Sequence, residues 1–224
     1  MKFKSALVTQ VSGSVGGATM AVNKGGMYMR ARSIPTNPNT AFQQSVRTFF
    51  KAIMNAWTNT LTAAQRAGWN TYATNTPIVD SLGEARVIPD NAMYLRSNNS
   101  RLQAGLSRID AAPGVFDLGS FTQPTFSLAA AGTTAAVTFT TGDSWHATGG
   151  ALLIYASRPQ NASVNFWKGP FRLVGAISGT ATSPQTFTMP FTTGSTASAT
   201  FFKTVATAPD GRLSTESIVK STPV

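Results

Sequence analysis

Hydrophobic and polar positions divide the chain into three stretches of different periodicity. The first, residues 1–34, alternates short β-like runs with glycine-containing turns, which predicts a basic β-ribbon or an extended arm. Its predicted strands are residues 6–11, 18–22 and 27–32, and its predicted turns are residues 12–17 and 23–26. A ribbon of this size is too small to be stable alone.

The last run of the ribbon should have two different faces, because successive side chains of a strand point to opposite sides. Met27 and Met29 share one side. The opposite side carries the aromatic and basic residues Tyr28, Arg30 and Arg32. We therefore expect one apolar face and one basic face.

The second stretch, residues 35–110, has helical periodicity. Thr40 and Gln43 have the spacing of a capping box, so a helix should begin there. Its apolar positions repeat at steps of three and four, at Phe42, Val46, Phe49, Ile53 and Trp57. Arg47 and Lys51, four residues apart, line another face of this helix.

A second, shorter helix should follow, because Thr62 and Gln65 repeat the capping-box spacing. Its Trp69 and Tyr72 are available to pack against the first helix. Residues 75–88, which contain a proline, a glycine and the first acidic residues, predict a loop.

A third helix is predicted to begin at Pro89–Asp90, whose aspartate resembles a helix cap. The apolar positions of this helix are broken by the polar residues 97–100. Residues 111–120, which include Pro113 and Gly114, are predicted to be a linker.

The third stretch, residues 121–224, is predicted to be all-β. About seven candidate strands are separated by glycine and proline turns: residues 124–130, 134–140, 150–157, 171–178, 184–189, 197–207 and 213–219. This number and spacing predict an immunoglobulin-like or fibronectin III-like β-sandwich. The expected fold class is α+β, with the ribbon and a short helical region followed by this sandwich.

The charge is strongly asymmetric. The formal net charge is +10, and no Asp or Glu precedes Asp80. The same stretch carries eight basic residues: Lys2, Lys4, Lys24, Arg30, Arg32, Arg47, Lys51 and Arg66. Such a block indicates an acidic partner, which is either nucleic acid or the acidic face of another protein, and the alternative is a basic solvated surface.

The chain has few residues of the types that perform catalysis. The chain has no Cys and one His, so Cys nucleophiles, disulfides and Cys-ligated metal sites are excluded. His146, near Asp143, is the single candidate general base, and its alternative is a loop histidine with a local hydrogen bond. Residues 13–17 lack the Lys-Ser or Lys-Thr ending of a phosphate-binding loop. We expect no enzyme activity, no catalytic residues, no cofactor and no metal.

Nucleic-acid binding remains an alternative. Five basic residues, Arg30, Arg32, Arg47, Lys51 and Arg66, are interleaved with the aromatic residues Tyr28, Trp57 and Trp69, a combination that can hold phosphate and stack bases. However, the aromatic residues of the first helix coincide with its apolar face, which favours a place in the core. No helix-turn-helix, zinc-finger or RNA-recognition signature occurs.

The segment from Ser12 to Ala73 resembles a sequence block of uncharacterised phage and prophage proteins. The matching residues are the Ser-Gly and Gly-Gly turns, Arg30, Arg32, Asn37-Pro38-Asn39-Thr40, Gln43, Gln44, Arg47, Phe50, Trp57, Leu61-Thr62, Gln65-Arg66 and Trp69-Asn70. An appended immunoglobulin-like module is similarly common on phage capsid, tail and decoration proteins. The resemblance implies a setting in the virion and supplies no catalytic residues.

These observations together predict a virion structural protein, made in the host cytoplasm, that stabilises or decorates a capsid. Its partners should be the major capsid protein or other virion proteins, in a homo-oligomer or a lattice and without a membrane. The expected contacts are Lys2, Lys4, Lys24, Arg30, Arg32, Arg47 and Lys51. The alternatives are a head-tail junction or tail protein, or a DNA-binding protein inside the head.

Overall fold

The computed structural model describes residues 11–23, 26–79, 83–117 and 119–223. It divides the chain into two compact units, Met1–Gln43 and Gln44–Val224. The described residues form antiparallel β-sheets and three α-helices, which confirms an α+β protein with mostly β structure. None of the helices in the described ranges is both long and apolar enough to cross a bilayer.

In the first unit, β1 (Gly13–Val15), β2 (Ala18–Asn23) and β3 (Gly26–Ala31) form one sheet in that order. The prediction of a turn over residues 12–17 is wrong in its extent, because three of these residues pair with β2. The turn is confined to Gly16 and Gly17, and Gly16 has a φ of +57°, which suits a two-residue hairpin. The predicted strand over residues 6–11 lies outside the described residues except for Val11, which is not in a strand.

The second unit contains most of α1 (Ala41–Asn59), and α2 (Ala63–Asn75) follows it. Both predicted capping boxes are confirmed. The Gln43 N–H donates to the Thr40 hydroxyl at 3.3 Å, and the Thr40 N–H donates to the Gln43 side-chain oxygen at 3.2 Å. Thr62 and Gln65 repeat this reciprocal pair at 3.3 and 2.8 Å. Each box satisfies two N–H groups that a helix leaves open at its start.

The predicted loop over residues 75–88 is wrong in part, because it contains a small hairpin. β4 (Ile78–Val79) pairs with β5 (Ala85–Arg86), and α3 (Asp90–Gln103) follows. Helix α3 has Pro89 as its N-cap, which forms no side-chain cap, while the Asp90 carboxylate accepts from the N–H of Asn91. The predicted polar interruption at residues 97–100 is a continuous part of this helix.

The helices share one apolar core, which fixes α1, α2 and α3 around aromatic rings. Trp69 and Tyr94 are both fully buried, and their rings meet edge to face with centroids 5.3 Å apart. The indole N–H of Trp69 donates to the backbone oxygen of Asp110 at 2.9 Å. The buried indole N–H therefore has a hydrogen-bond acceptor.

The β region contains eight described strands: β6 (Thr125–Leu128), β7 (Thr134–Thr138), β8 (Ala151–Ala156), β9 (Gln160–Asn161), β10 (Arg172–Ser178), β11 (Gln185–Thr188), β12 (Ser198–Thr207) and β13 (Ser217–Ser221). One sheet has the order β11-β7-β6, and the other has the order β10-β8-β12-β13 with β9 at the start of β12. Seven of these strands overlap the seven predicted ones, and the two-residue β9 was not predicted.

One hydrophobic cluster receives side chains from both sheets. Leu128 and Val137 come from the three-stranded sheet, while Leu152, Ile154 and Phe202 come from the five-stranded one. The rings of Phe126 and Phe202 stack across this cluster with centroids 4.1 Å apart. Strand β7 alternates between buried and more exposed positions, whereas β8 is almost wholly buried.

Candidate interaction surface

The first unit displays a basic face on its small sheet. The register pairs Thr19 with Arg30 and Ala21 with Tyr28, so these residues share one side. Arg30 lies exposed in β3, and Arg32, also exposed, follows the strand and donates its N–H to the Gly17 oxygen at 2.8 Å. This places the two predicted arginines along the same sheet edge.

The opposite side of this sheet is apolar. Val22 pairs with Met27, and Val15 pairs with Ala18. Val15 is 73% exposed and Val22 is 46% exposed. None of residues 11–22 and 26–43 is buried. A sheet with an apolar face and no buried residue lacks the packing that stabilises small sheets.

Helix α1 carries the two predicted contact residues of the second unit. Arg47 and Lys51 are exposed and lie about one turn apart. Beside Lys51 the ring of Phe50 is 52% exposed. A shallow groove runs along this face and is lined by Phe50, Lys51 and Met54 among others. The surface thus combines a cation with an open aromatic ring.

The amphipathic pattern of α1 is only partly used by the core. Ile53 and Ala56 are buried and Trp57 packs against them, as the periodicity predicts. In contrast, Phe42 is 56% exposed, and no residue from 41 to 52 is buried. The first three turns therefore carry apolar side chains that the helical core does not enclose.

Phe50 is the residue of this surface that sequence reasoning missed. It lies four positions after Val46 and three before Ile53, so helical spacing places it at the border of the apolar face of α1. This spacing was the available signal. The lysines Lys2, Lys4 and Lys24, which complete the predicted contacts, lie outside the described residues.

Three residues of the predicted nucleic-acid surface have internal roles instead. Arg66 donates to the backbone oxygens of Trp57, Thr58 and Leu61 at 3.0–3.1 Å, which satisfies carbonyls at and after the end of α1. Trp57 and Trp69 belong to the helical core. Trp57 therefore lies where its place on the apolar face of α1 predicts, and Arg66 and Trp69 also have internal contacts.

His146 and Asp143 stabilise a loop of the β region. The buried Asp143 carboxylate accepts from the Thr122 N–H at 2.8 Å, from the Thr122 hydroxyl at 3.0 Å and from the indole N–H of Trp145 at 3.3 Å. The Nε2 atom of His146 forms a 2.8 Å hydrogen bond with the Ala181 oxygen. Within the described ranges, no three His, Asp or Glu residues cluster as a metal site would require.

Comparisons with known proteins give only distant structural neighbours. No protein-family model and no curated protein matches the chain. Matching solved structures include the third fibronectin III domain of the human KIAA0343 protein, with 13% identity, a TM-score of 0.24, and coverage of 52% of this chain and 93% of that chain. They also include LPMO10B from Micromonospora aurantiaca, with 15% identity, a TM-score of 0.26, and coverage of 84% and 88%. At TM-scores this low, neither likeness bears on the function of this chain.

Proposed function

We propose that this chain is a non-enzymatic structural protein of a bacteriophage particle, where it stabilises or decorates the capsid by binding other virion proteins. The observation that carries the proposal is the sheet of the first unit, which has an apolar face, while none of residues 11–22 and 26–43 is buried. The phage setting is supported by the resemblance of residues 12–73 to phage and prophage proteins.

The apolar face of the sheet favours assembly because it needs a cover. Contiguous exposed apolar surface on a folded protein marks a contact with another molecule. Val15 and Val22 belong to this face and are largely open to water. An extended neighbour that adds to the outer edge of β1 or β3 would also satisfy backbone groups that the small sheet leaves unpaired.

The charge pattern favours an acidic protein as the partner. Residues 1–79 contain no Asp or Glu, so no acidic residue within this stretch neutralises Arg30, Arg32 or Lys51. The groove beside Phe50 adds an apolar contact, and protein interfaces combine such an aromatic anchor with a polar rim. A nucleic-acid partner is less well supported, because Arg66 and Trp69 are used inside the helical region.

The β region is proposed to be a single fibronectin III-like sandwich. Its two sheets share one hydrophobic cluster. Strand β11 returns beside β7, and β12 lies between β8 and β13, and such crossovers are typical of Greek-key sandwiches. In the assembled particle, we propose that this sandwich projects outward.

The decisive experiment adds purified chain to particles of the encoding phage that were assembled without it. Wild-type chain should bind in high copy number, measured by quantitative gel analysis of sedimented particles. The double variant Arg30→Glu and Arg32→Glu should reduce occupancy by about tenfold or more. Like charges that face each other across an interface weaken the free energy of binding by several kcal/mol. Phe50→Asp should reduce it independently.

The matched control is Arg158→Glu with Arg172→Glu, which reverses two exposed charges of the β region. Occupancy of this control should equal that of wild type. Unchanged occupancy of the Arg30 and Arg32 variant, with the same copy number as wild type, would contradict the proposal. A salt-dependent shift of duplex DNA by the chain, together with no particle binding, would favour the DNA-binding alternative instead.

A further inference from the structure

A cleft of about 350 Å³ opens between the helices and the β region, within the second unit. Its lining comes from the end of α2, from β4, from α3 and from the segment between β12 and β13. This volume lies at the lower end of the range found for small-molecule sites. The cleft is distinct from the basic surface of α1 and the β1–β3 sheet.

The cleft has both apolar and polar lining residues, and part of the apolar lining is open to water. Phe116 is 44% exposed and Val79 is 70% exposed. Tyr72 also lines the cleft and is 4% exposed, and its ring lies 6.3 Å from that of Phe116 at an angle of 32°. Two rings in this arrangement form a surface on which a flat apolar group can pack.

One cation lines the cleft without a partner. The guanidinium of Arg96 has no hydrogen bond or ion pair with any residue in the described ranges. Other cations close to the cleft are engaged, since Arg212 binds Asp210 at 2.7 Å and Lys203 binds Glu216 at 3.0 Å. Arg96 therefore keeps its planar pair of N–H groups available for an oxyanion.

The surrounding charges limit the charge of that oxyanion. Glu216 also lines the cleft, and its side chain is 60% exposed. The negative charge of Asp210 reaches Tyr72, where it adds to the effect of burial in raising the pKa of the phenol, while Arg96 lowers it. Among the described lining residues, Arg96 is the one cation and Glu216 the one carboxylate, so the cleft favours a single negative charge over a dianion.

We propose that this cleft binds a small monocarboxylate that carries a ring-sized apolar group. The carboxylate accepts the paired N–H groups of Arg96, and the ring packs against Phe116 and Tyr72. Ile78 and Leu213 add apolar side chains to the lining. This inference stands independently of the proposed role in a phage particle.

The test is isothermal titration of the full chain with 3-phenylpropionate and with its neutral amide. The acid should bind with a stoichiometry of one, and the amide should bind at least about tenfold more weakly, because it lacks the charge that Arg96 recognises. Arg96→Gln should lower affinity for the acid by a similar factor. Phe116→Ala should weaken both compounds. Arg158→Gln, which removes an exposed arginine of the β region, should bind as wild type does.

Equal affinity for the acid and the amide would overturn the proposal, as would an Arg96→Gln variant that binds the acid like wild type. Inorganic phosphate that displaces 3-phenylpropionate at equal concentration would also overturn it, since the site would then prefer a multiply charged anion. Arg96→Lys provides a second variant with the charge retained and the planar fork lost. It should bind the acid more tightly than Arg96→Gln and less tightly than wild type.

Discussion

The buried guanidinium of Arg101 in α3 donates a 3.0 Å hydrogen bond to the backbone oxygen of Ala208, directly after β12. It also donates to the oxygens of Ser107 and Gly149, each at 3.0 Å. Burial lowers the pKa of this side chain, against the opposing effect of Asp210. A single charged group thus connects the last turns of a helix with two loops of the β region.

Arg101→Met should be strongly destabilising, because three carbonyl oxygens lose their donor while the site remains closed to water. We expect the free energy of unfolding to fall by about 3 kcal/mol, as for buried polar groups that lose a charged partner. Urea denaturation measures this change. Arg158→Met, at an exposed position, should alter stability by no more than about 0.5 kcal/mol. Equal effects of the two variants would contradict a structural role for Arg101.

Asp143→Ala should cost more stability than His146→Ala. The carboxylate of Asp143 accepts three hydrogen bonds and is buried, so its loss should cost about 2–4 kcal/mol. His146 forms one hydrogen bond to Ala181, which is worth about 1 kcal/mol. Thermal unfolding of both variants tests the order, and the reverse order would show that the histidine, and not the carboxylate, fixes this loop.

Arg66→Gln should destabilise the helical region, because the wild-type side chain satisfies three backbone oxygens at the end of α1. A loss of about 2 kcal/mol is expected from these charge-assisted bonds. Lys51→Gln, on the open face of the same helix, is the matched control and should leave the urea midpoint close to that of wild type. An Arg66 variant as stable as the control would contradict this internal role and favour a role of Arg66 in binding.

Stability should depend on pH through Asp110 and Tyr94, whose side chains share a 3.0 Å hydrogen bond. The hydrogen bond from Arg108 lowers the pKa of Asp110 below its usual 3.8, so the stability that the carboxylate contributes is complete above that pH and is lost as pH falls through the lowered value. Asp110→Asn should therefore reduce the acid dependence of the melting temperature.

Burial, and then the hydrogen bond to Asp110, raise the pKa of Tyr94 above its usual 10.0. The neutral phenol therefore contributes stability that is complete below that pH and is lost as pH rises through the raised value. Tyr94→Phe should remove this alkaline dependence while leaving the acid dependence from Arg108 and Asp110 in place. A melting temperature of wild type that stays constant above pH 10 would contradict this assignment.

The elements with local causes were predictable from the sequence. Thr40 with Gln43 and Thr62 with Gln65 place helix starts through hydrogen bonds between residues three positions apart. Alternation likewise predicted the two faces of β3, and the glycine and proline turns predicted seven strands of the β region. In each case the interacting groups are neighbours along the chain, so the pattern of residues contains the cause.

The burial and the hydrogen-bond partners of individual side chains depended on residues far away in the sequence. Ser97 and Asn98 were predicted to interrupt a helix, but both are buried within it. Their polar groups have distant partners: Ser97 donates to the Gly211 oxygen, and Asn98 binds the backbone of Ile109. Arg66 appeared to be a surface cation, but it satisfies carbonyl oxygens of the preceding turn.

The candidate contact residues were also predicted only in part. The sequence alone placed Arg47 and Lys51 on one helix and showed that residues 1–79 contain no Asp or Glu. Only the tertiary structure decided that Trp57 enters a core while Phe50 remains open. Helical spacing determines which side chains share a face, whereas burial of that face depends on whether another element packs against it, and this is set by the whole fold.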